Sequence, residues 1–215
     1  IVIENTSLFS QFANILSFSR FKGLMKNVAN IINWTASDEN CLSINSLILT
    51  PSGFKNLRDI KENDLVFGYL PKTGELLSCP VQKKIHRSNP DKKMVRFQHK
   101  NDTNNMIDCT LEHNMLVYDN NGNHQHIKAI DLYNHIPEYK NHYFKEYPTF
   151  ELVSLEDFNI QIIEVSDDYE VGCVQVKTGN IIVKQNNQSN PFITGNCHAN
   201  AGILLINLIN QEYPE

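Results

Sequence analysis

The sequence predicts a mainly β domain, residues 41–196, between two helical segments, residues 1–40 and 197–215. Three observations lead to this prediction. Short runs rich in β-branched and aromatic residues follow one another from residue 41 onward. Stretches with Gly and Asn separate these runs, as in the turns of antiparallel sheets. Both ends of the chain instead carry apolar residues at helical spacing.

The first 40 residues are expected to form helices. Residues 1–19 have apolar side chains on nearly every face, as in a buried helix, and the stretch "RFKG" ends that pattern. A second helical stripe follows, formed by Leu24, Val28, Ile31 and Ile32.

Five runs in the middle of the chain predict strands: "SLILT", "DLVFGYL", "KMVRFQHK", "NMLVYD" and "GCVQV". The stretches "PKTGE", "DNNGN" and "KTGN" predict hairpin-type turns between strands. Only the stretch "AIDLYNHIPEYKNHYFKEYP" interrupts this succession of predicted strands and turns, and it is expected to be helix or loop.

The composition is that of an ordinary globular protein, with 41% hydrophobic and 20% charged residues. A net charge of −5 with scattered Lys and Arg predicts no affinity for nucleic acid. No apolar run is long enough to cross a bilayer, and no signal peptide is recognisable at the start, so no membrane partner is expected. Five cysteines without a C-x-x-C pair argue against a disulfide framework and a zinc site, and indicate thiols in a reducing, cytoplasmic compartment.

The same dipeptide occurs at both boundaries of the β region. "ENC" spans residues 39–41 and "GNC" spans residues 195–197. If residues 41–196 are removed, the flanking segments join as "IINWTASDEN" and "CHANAGILLINLI", which is one continuous helical pattern. The two boundaries are therefore candidate sites of chain cleavage and joining.

Residues 41–196 resemble an intein, a self-splicing Hint domain. The resemblance rests on the opening "CLSINSLILTPSGFKNLRDIKENDLVFGY", on the T-x-x-H motif "TLEH" at 110–113, and on the closing "YEVGCVQVKTGNIIVKQNNQSNPFITGNC". No endonuclease motif is present, so the segment looks like a mini-intein of microbial or viral type. The resemblance implies a compact, pseudo-twofold, horseshoe-like β fold with its ends close together.

The residues at the boundaries suit this chemistry. The Cys41 thiolate can attack the carbonyl of Asn40 and convert the amide to a thioester. His113 is the expected proton donor and Thr110 helps to orient it. Cys197 then attacks the thioester, Asn196 cyclises onto its own carbonyl, and an S-to-N shift joins Asn40 to Cys197. No cofactor and no partner are needed for these steps.

Other cysteines and histidines receive different predictions. Cys173 lies where many inteins carry an assisting aspartate, and it is predicted to be catalytic. Cys79 and Cys109 are expected to be small buried hydrophobic residues. The remaining histidines have no supporting context and are expected on the surface: His86, His99, His124, His126, His135 and His142.

The sequence departs from the intein pattern at Gly195. Many inteins have histidine there, directly before the terminal asparagine, and the usual histidine of the preceding block is also missing from "TGNIIVKQ". Cyclisation of Asn196 is therefore expected to be slower, or to be assisted by Cys173 or by another group.

The joined flanking segments resemble the small (β) subunit of class I ribonucleotide reductase, a ferritin-like helical protein. The joined sequence contains Glu39 and His198 in a Glu-x-x-His motif, which places both side chains on one face of a helix. Carried over residue by residue, the resemblance implies Glu4, Glu39 and His198 as metal ligands. It also implies Asp38 beside the metal site on the electron-transfer path, and Phe12 in the apolar pocket near the radical.

For the host, the resemblance implies a di-iron or iron/manganese centre in the complete spliced subunit. It further implies a homodimer that pairs with a large catalytic reductase subunit and serves deoxyribonucleotide synthesis. In the precursor Glu39 and His198 are separated by the whole inserted domain, so the metal site is expected to form only after splicing.

Three other interpretations stay open at this stage. A Hint domain of the autoprocessing type would cleave the chain without joining the segments. A β-rich interaction module would have no activity at all. A Cys-His hydrolase would act on other substrates, although the order of residues does not match a known triad.

Overall fold

The computed structural model describes residues 41–89 and 91–196, which lie within one compact unit, Asp38–His198. The predictions of helical segments at residues 1–40 and 197–215 lie outside the described residues.

Sixteen strands occur in the described part of the chain. In chain order, β1 to β16 are Leu42–Ser43, Leu47–Thr50, Gly53–Asn56, Leu65–Leu70, Glu75–Pro80, Lys83–Ser88, Lys93–His99, Met106–Cys109, Asn114–Tyr118, His124–Lys128, Tyr143–Lys145, Leu152–Ser154, Phe158–Glu164, Glu170–Gln175, Asn180–Lys184 and Phe192–Gly195. One α-helix, α1 (Ala129–Asn134), and two 3₁₀ turns, Leu57–Asp59 and Leu155–Asp157, accompany them. The prediction of a mainly β domain is confirmed.

The strands form three antiparallel sheets. The first has the order β13-β7-β8-β1-β14-β6 and the second has the order β10-β9-β11-β12. The third has the order β3-β2-β15-β4-β5, with β16 paired to β15. The first strand, β1, therefore lies inside one sheet, between β8 and β14, whereas the last strand, β16, is bonded into another.

All five predicted runs form strands, namely β2, β4, β7, β9 and β14. In β14 the four residues Val171 to Val174 are all buried, and in β15 Asn180 to Val183 are also buried. Strands covered on both faces need apolar side chains at consecutive positions, which explains why these runs lack a clear alternation.

The "KTGN" turn does not form a hairpin. It connects β14 to β15, which pair with other strands and belong to different sheets. Gly179 has a φ of +74° and donates a backbone hydrogen bond to Val176, so the tight turn itself is present. Turn residues predict a reversal of the chain but not which strands pair after it.

One series of elements occurs twice along the chain. A hairpin, a 3₁₀ turn and a long strand follow one another as β2, β3, Leu57–Asp59 and β4, and again as β11, β12, Leu155–Asp157 and β13. Each 3₁₀ turn begins at a capping side chain that accepts a backbone N–H bond. Asn56 accepts from Arg58 in the first copy, and Ser154 accepts from Glu156 in the second. Such a repetition is expected of a pseudo-twofold fold.

An aromatic cluster anchors the last strand. Phe192 of β16 packs edge-on against Phe144 and Phe158, with ring centroids 5.9 and 5.7 Å apart, and Phe97 of β7 contacts Phe144 at 5.4 Å. Phe192 is fully buried. These contacts fix β16, and therefore the position of the residues that follow Phe192, by packing against two other strands, β11 and β13.

The described residues contain no helix that is long and apolar enough to cross a membrane. They also contain no group of three or more His, Cys, Asp or Glu side chains that are placed to hold a metal ion.

Candidate active site

Thr110 holds the backbone of Cys41 from both sides. The Cys41 N–H donates to Thr110 Oγ1 at 2.9 Å. The Cys41 carbonyl accepts from the Thr110 N–H at 2.8 Å and from Thr110 Oγ1 at 3.1 Å. Both residues are almost completely buried, so these bonds are shielded from water. The nitrogen of the Asn40–Cys41 peptide bond is thus fixed by one hydroxyl group.

Thr110 and His113 lie on the tight turn between β8 and β9. His113 donates its backbone N–H to the Thr110 carbonyl at 3.1 Å, which closes the turn. The start of α1 supports it, because Ala129 and Ile130 donate to the carbonyls of His113 and Leu111 at 2.8 and 2.9 Å. The predicted T-x-x-H motif is therefore a rigid loop between two sheets.

The side chain of His113 contacts the C-terminal end of the domain. Its Nε2 lies 2.8 Å from Thr194 Oγ1, two residues before Asn196, and both side chains are buried. The Nε2 atom of the ring is therefore occupied by the Thr194 hydroxyl group. Because Thr110 holds Cys41 and His113 contacts Thr194, one four-residue loop contacts both ends of the domain. This agrees with the predicted closeness of the ends.

Cys173 lies beside Cys41. The β1–β14 register pairs Leu42 with Gly172, which brings Cys41 next to Cys173, and both belong to one small buried cluster. Cys173 is disulfide-bonded, whereas Cys41 forms no disulfide. The expectation that the chain holds only free thiols is therefore wrong for Cys173. The number and spacing of cysteines in a sequence do not show which pairs the fold brings within bonding distance.

Asn196 is held in a buried position. Its Nδ2 donates to the Val176 carbonyl at 2.9 Å, and its backbone N–H donates to the Gly179 carbonyl at 3.0 Å. Only 1% of Asn196 is exposed, and its Oδ1 has no hydrogen-bond partner among the described residues. An unsatisfied buried oxygen costs about 1–3 kcal/mol. The side-chain amide is thus poorly stabilised in its resting position.

The structure reveals three polar residues near the C-terminal end of the domain that sequence reasoning missed: Thr194, Asn180 and His126. Thr194 contacts His113, and the His126 ring contacts Asn180 beside Gly195. For Thr194 the closeness to Asn196 in the sequence was an available signal. For Asn180 and His126 the sequence offered no such signal, because 54 positions separate the two residues.

The remaining predictions for cysteines and histidines are confirmed. Cys79 and Cys109 are free, fully buried thiols, and burial raises the pKa of Cys109 well above its usual value. A thiol with a raised pKa is a poor nucleophile. None of the six histidines predicted on the surface is buried. His126, although exposed, is hydrogen-bonded to Asn180.

Several predicted site residues lie outside the described residues. They are the nucleophile Cys197 and the residues assigned to the host: Glu4, Phe12, Asp38, Glu39 and His198.

Comparison with solved structures identifies the fold. No protein-family model matches the chain. A splice-inactive, glutathione-linked variant of the AceL NrdHF class 3 split intein matches with a TM-score of 0.61 and 19% identity, over 75% of this chain and 100% of that one. A bacterial intein-like domain from Clostridium thermocellum matches with a TM-score of 0.56 and 16% identity, over 73% and 99%. A DnaB intein from Synechocystis matches with a TM-score of 0.51 and 15% identity, over 73% and 97%.

One curated relative is similar in sequence. It is the ribonucleoside-diphosphate reductase subunit beta of Aquifex aeolicus, which is 33% identical over 75 residues. The match covers 35% of this chain and 11% of the relative. The sequence similarity is thus to a reductase β subunit, as the flanking segments predicted. The described domain itself has the Hint fold of inteins.

Proposed function

We propose that this chain is a self-splicing precursor, in which residues 41–196 excise themselves and join residues 1–40 to residues 197–215. The observation that supports this proposal best is the loop of Thr110 and His113. One residue of the loop is bonded to Cys41, and the other is bonded to Thr194, two residues before Asn196. A single rigid loop thus positions side chains at both cleavage points, and such positioning favours reaction.

The first step is an exchange of the Asn40–Cys41 amide for a thioester. The Cys41 sulfur attacks the Asn40 carbonyl carbon, the bond to the Cys41 nitrogen breaks, and that nitrogen gains a proton. Thr110 positions the leaving nitrogen, and His113 supplies the proton through Nδ1. Because the nitrogen is already hydrogen-bonded in a buried site, little rearrangement is needed.

The later steps move the N-terminal segment and release the domain. The Cys197 sulfur attacks the thioester and takes over the acyl group. Asn196 Nδ2 then attacks the Asn196 carbonyl carbon and breaks the bond to Cys197. The free amine of Cys197 finally attacks the new thioester, and a peptide bond between Asn40 and Cys197 results.

For the host, the sequence similarity to the reductase β subunit supports a ribonucleotide reductase subunit as the joined product. We propose Glu4, Glu39 and His198 as ligands of its di-iron or iron/manganese centre, with Asp38 and Phe12 beside them. The complete subunit would form a homodimer in the cytoplasm, and this homodimer would pair with a large catalytic reductase subunit. Iron content of the full-length host before and after splicing tests this assignment.

Intact mass spectrometry of the purified chain tests the splicing proposal. Without reductant the mass is expected to stay that of the full chain. The reason is that the sulfur of Cys173, which lies in the same buried cluster as Cys41, is held in a disulfide. Added thiol or phosphine should release two products, the domain 41–196 and the joined segments. Non-reducing peptide mapping is expected to recover Cys173 in a disulfide-linked peptide.

The other outcomes distinguish the alternatives. Cleaved but unjoined segments after reduction would indicate an autoprocessing Hint domain. An unchanged mass after complete reduction would contradict splicing and favour a β-rich interaction module. Rapid splicing without any reductant would contradict only the role given to the disulfide.

Replacing Thr110 with valine is expected to slow thioester formation about 100-fold, on the scale of losing one transition-state hydrogen bond. Valine keeps the shape of threonine but neither accepts from Cys41 N nor donates to its carbonyl. The measurement is the rate of N-terminal cleavage by added thiol in an Asn196→Ala background.

Two control variants accompany the Thr110→Val measurement. Thr110→Ser retains the hydroxyl group and should restore most of the rate. Thr103→Val changes an exposed threonine on the β7–β8 loop and should have no effect. Equal rates in the Thr110→Val and parent proteins would contradict the assignment of Thr110.

A further inference from the structure

We propose that Gly68 is a positioning residue for the cyclisation of Asn196. It acts through the turn between β14 and β15, residues 176–180, which holds Asn196 by two hydrogen bonds. This role rests on the proposed splicing function and adds a residue of β4 to its third step.

Asn196 is bonded to this turn through both its backbone and its side chain. The backbone N–H donates to the Gly179 carbonyl at 3.0 Å, and Nδ2 donates to the Val176 carbonyl at 2.9 Å. Gly179 donates its own N–H to the Val176 carbonyl at 3.2 Å, so the two acceptors are fixed relative to each other. Two contacts from one turn restrict the side-chain torsions of Asn196, and therefore the placement of Nδ2 relative to the carbonyl carbon that it attacks.

Thr178 lies in the middle of the turn and packs directly on Gly68. A Cβ at position 68 would lie 2.1 Å from Oγ1, 2.9 Å from Cγ2 and 3.0 Å from Cβ of Thr178. Thr178 Oγ1 also donates to the Asn180 carbonyl at 3.0 Å, so the turn itself sets the orientation of this side chain. The Thr178 side chain thus occupies the space that a side chain at position 68 would need.

A larger residue at position 68 must move the turn and not only the Thr178 side chain. Rotation about χ1 of Thr178 moves Oγ1 and Cγ2, but it leaves Cβ in place, 3.0 Å from the added methyl group. Rotation would also break the bond from Oγ1 to Asn180. The φ of Gly68 lies outside the left-handed region, so its backbone conformation does not exclude alanine. The obstacle is the contact with Thr178.

Strand β4 supports the turn at the next residue as well. The Tyr69 carbonyl accepts from Asn180 Nδ2 at 3.4 Å, and Gly68 is paired with Ile181 in the β4–β15 register. Asn180 is 2% exposed and is paired with Gly195 in the β15–β16 register. The missing side chain at position 68 therefore sets how closely β4 approaches the turn that holds Asn196.

The cyclisation depends on this placement. Asn196 Nδ2 forms a bond to the Asn196 carbonyl carbon and loses a proton, while the bond to the Cys197 nitrogen breaks and that nitrogen gains a proton. The products are a succinimide at residue 196 and a free amine. A misplacement of about 1 Å can cost on the order of 100-fold in rate. The overlap at Thr178 Oγ1 is of this size, because ordinary van der Waals contacts of a Cβ begin at 3.4 Å.

The test uses the full chain with Cys41→Ala, in which cyclisation of Asn196 is the cleavage step that remains. Release of residues 197–215 is followed by mass spectrometry in reductant, and Gly68→Ala is expected to slow it at least tenfold. In an Asn196→Ala background, Gly68→Ala should leave the rate of N-terminal cleavage by added thiol unchanged. The reason is that Thr110, which holds Cys41, belongs to a different loop.

A change of size on both sides of the contact tests the role of Thr178. Thr178→Gly removes all three atoms that the new methyl group would meet. Gly68→Ala combined with Thr178→Gly should therefore release the segment at about the rate of Thr178→Gly alone.

Gly122→Ala is the matched control. It adds the same methyl group in a turn with a φ of +80°, where no atom of the described residues lies within 4 Å of the new Cβ. Alanine disfavours this backbone conformation, so the thermal midpoint should fall. The segment should nevertheless be released at the parent rate.

Release from the Gly68→Ala protein at the parent rate, or faster, would overturn the inference and leave the splicing proposal intact. A parent protein that never releases the segment would overturn the splicing proposal and this inference with it. Two further outcomes would overturn the role of Gly68 alone. They are an equal slowing of N-terminal cleavage, and a slowing by Gly68→Ala that persists in the Thr178→Gly background.

Discussion

Replacement of Cys41 by alanine is expected to abolish splicing and N-terminal cleavage. Cys41 supplies the sulfur that attacks Asn40, and the other cysteines without a disulfide among the described residues are Cys79 and Cys109. The loss should be on the scale of the roughly million-fold losses that follow removal of a nucleophile from a nucleophile–base unit. The measurement is mass spectrometry of the reduced protein over several days.

The C-terminal end of the domain should remain active in the Cys41→Ala protein. Slow release of residues 197–215 is expected, because the groups around Asn196 are unchanged. Cys79→Ala is the matched control, since Cys79 is also a free, fully buried thiol but belongs to the main core. This variant should splice. Joined segments in the Cys41→Ala protein would contradict the proposed nucleophile.

Replacement of Asn196 by alanine is expected to stop splicing after the acyl group has moved to Cys197. Without Nδ2 the bond between residues 196 and 197 cannot be broken by cyclisation. A branched species should therefore accumulate, with the N-terminal segment attached through a thioester. It is detected as a slowly migrating band that disappears on treatment with hydroxylamine or excess thiol.

The Asn196→Ala protein should fold as well as the parent. The change removes the bond to Val176, worth about 1 kcal/mol, but it also removes an Oδ1 that lacks a partner among the described residues. Asn190→Ala, in the exposed loop before β16, is the control and should splice normally. Release of residues 197–215 from the Asn196→Ala protein would contradict the assignment of Asn196.

The strands of the domain were predictable from the sequence in part, because the five predicted runs account for five of the sixteen strands. Runs such as "KMVRFQHK" and "DLVFGYL" form β7 and β4 with boundaries within one residue of the prediction. Local propensities are strong in these runs because β-branched and aromatic side chains fit a pleated, covered surface. The pairing of strands was less predictable, and "KTGN" joins two sheets instead of closing a hairpin.

The chemistry that we propose at the two boundaries follows from residue types at particular positions in the sequence. A thiol after one peptide bond and an asparagine before another define which atoms can react, whatever the fold around them. The T-x-x-H motif is local as well, since Thr110 and His113 act from a single turn.

Which other groups reach these atoms was decided by tertiary structure alone. Thr110 meets Cys41 across 69 positions, His113 meets Thr194 across 81, and His126 meets Asn180 across 54. These contacts depend on strand register, and a shift of one residue would turn every side chain to the opposite face. Core packing sets that register, here with Phe192 holding β16 in place. The sequence by itself therefore determined the reacting atoms, and only the packed sheets decided which side chains surround them.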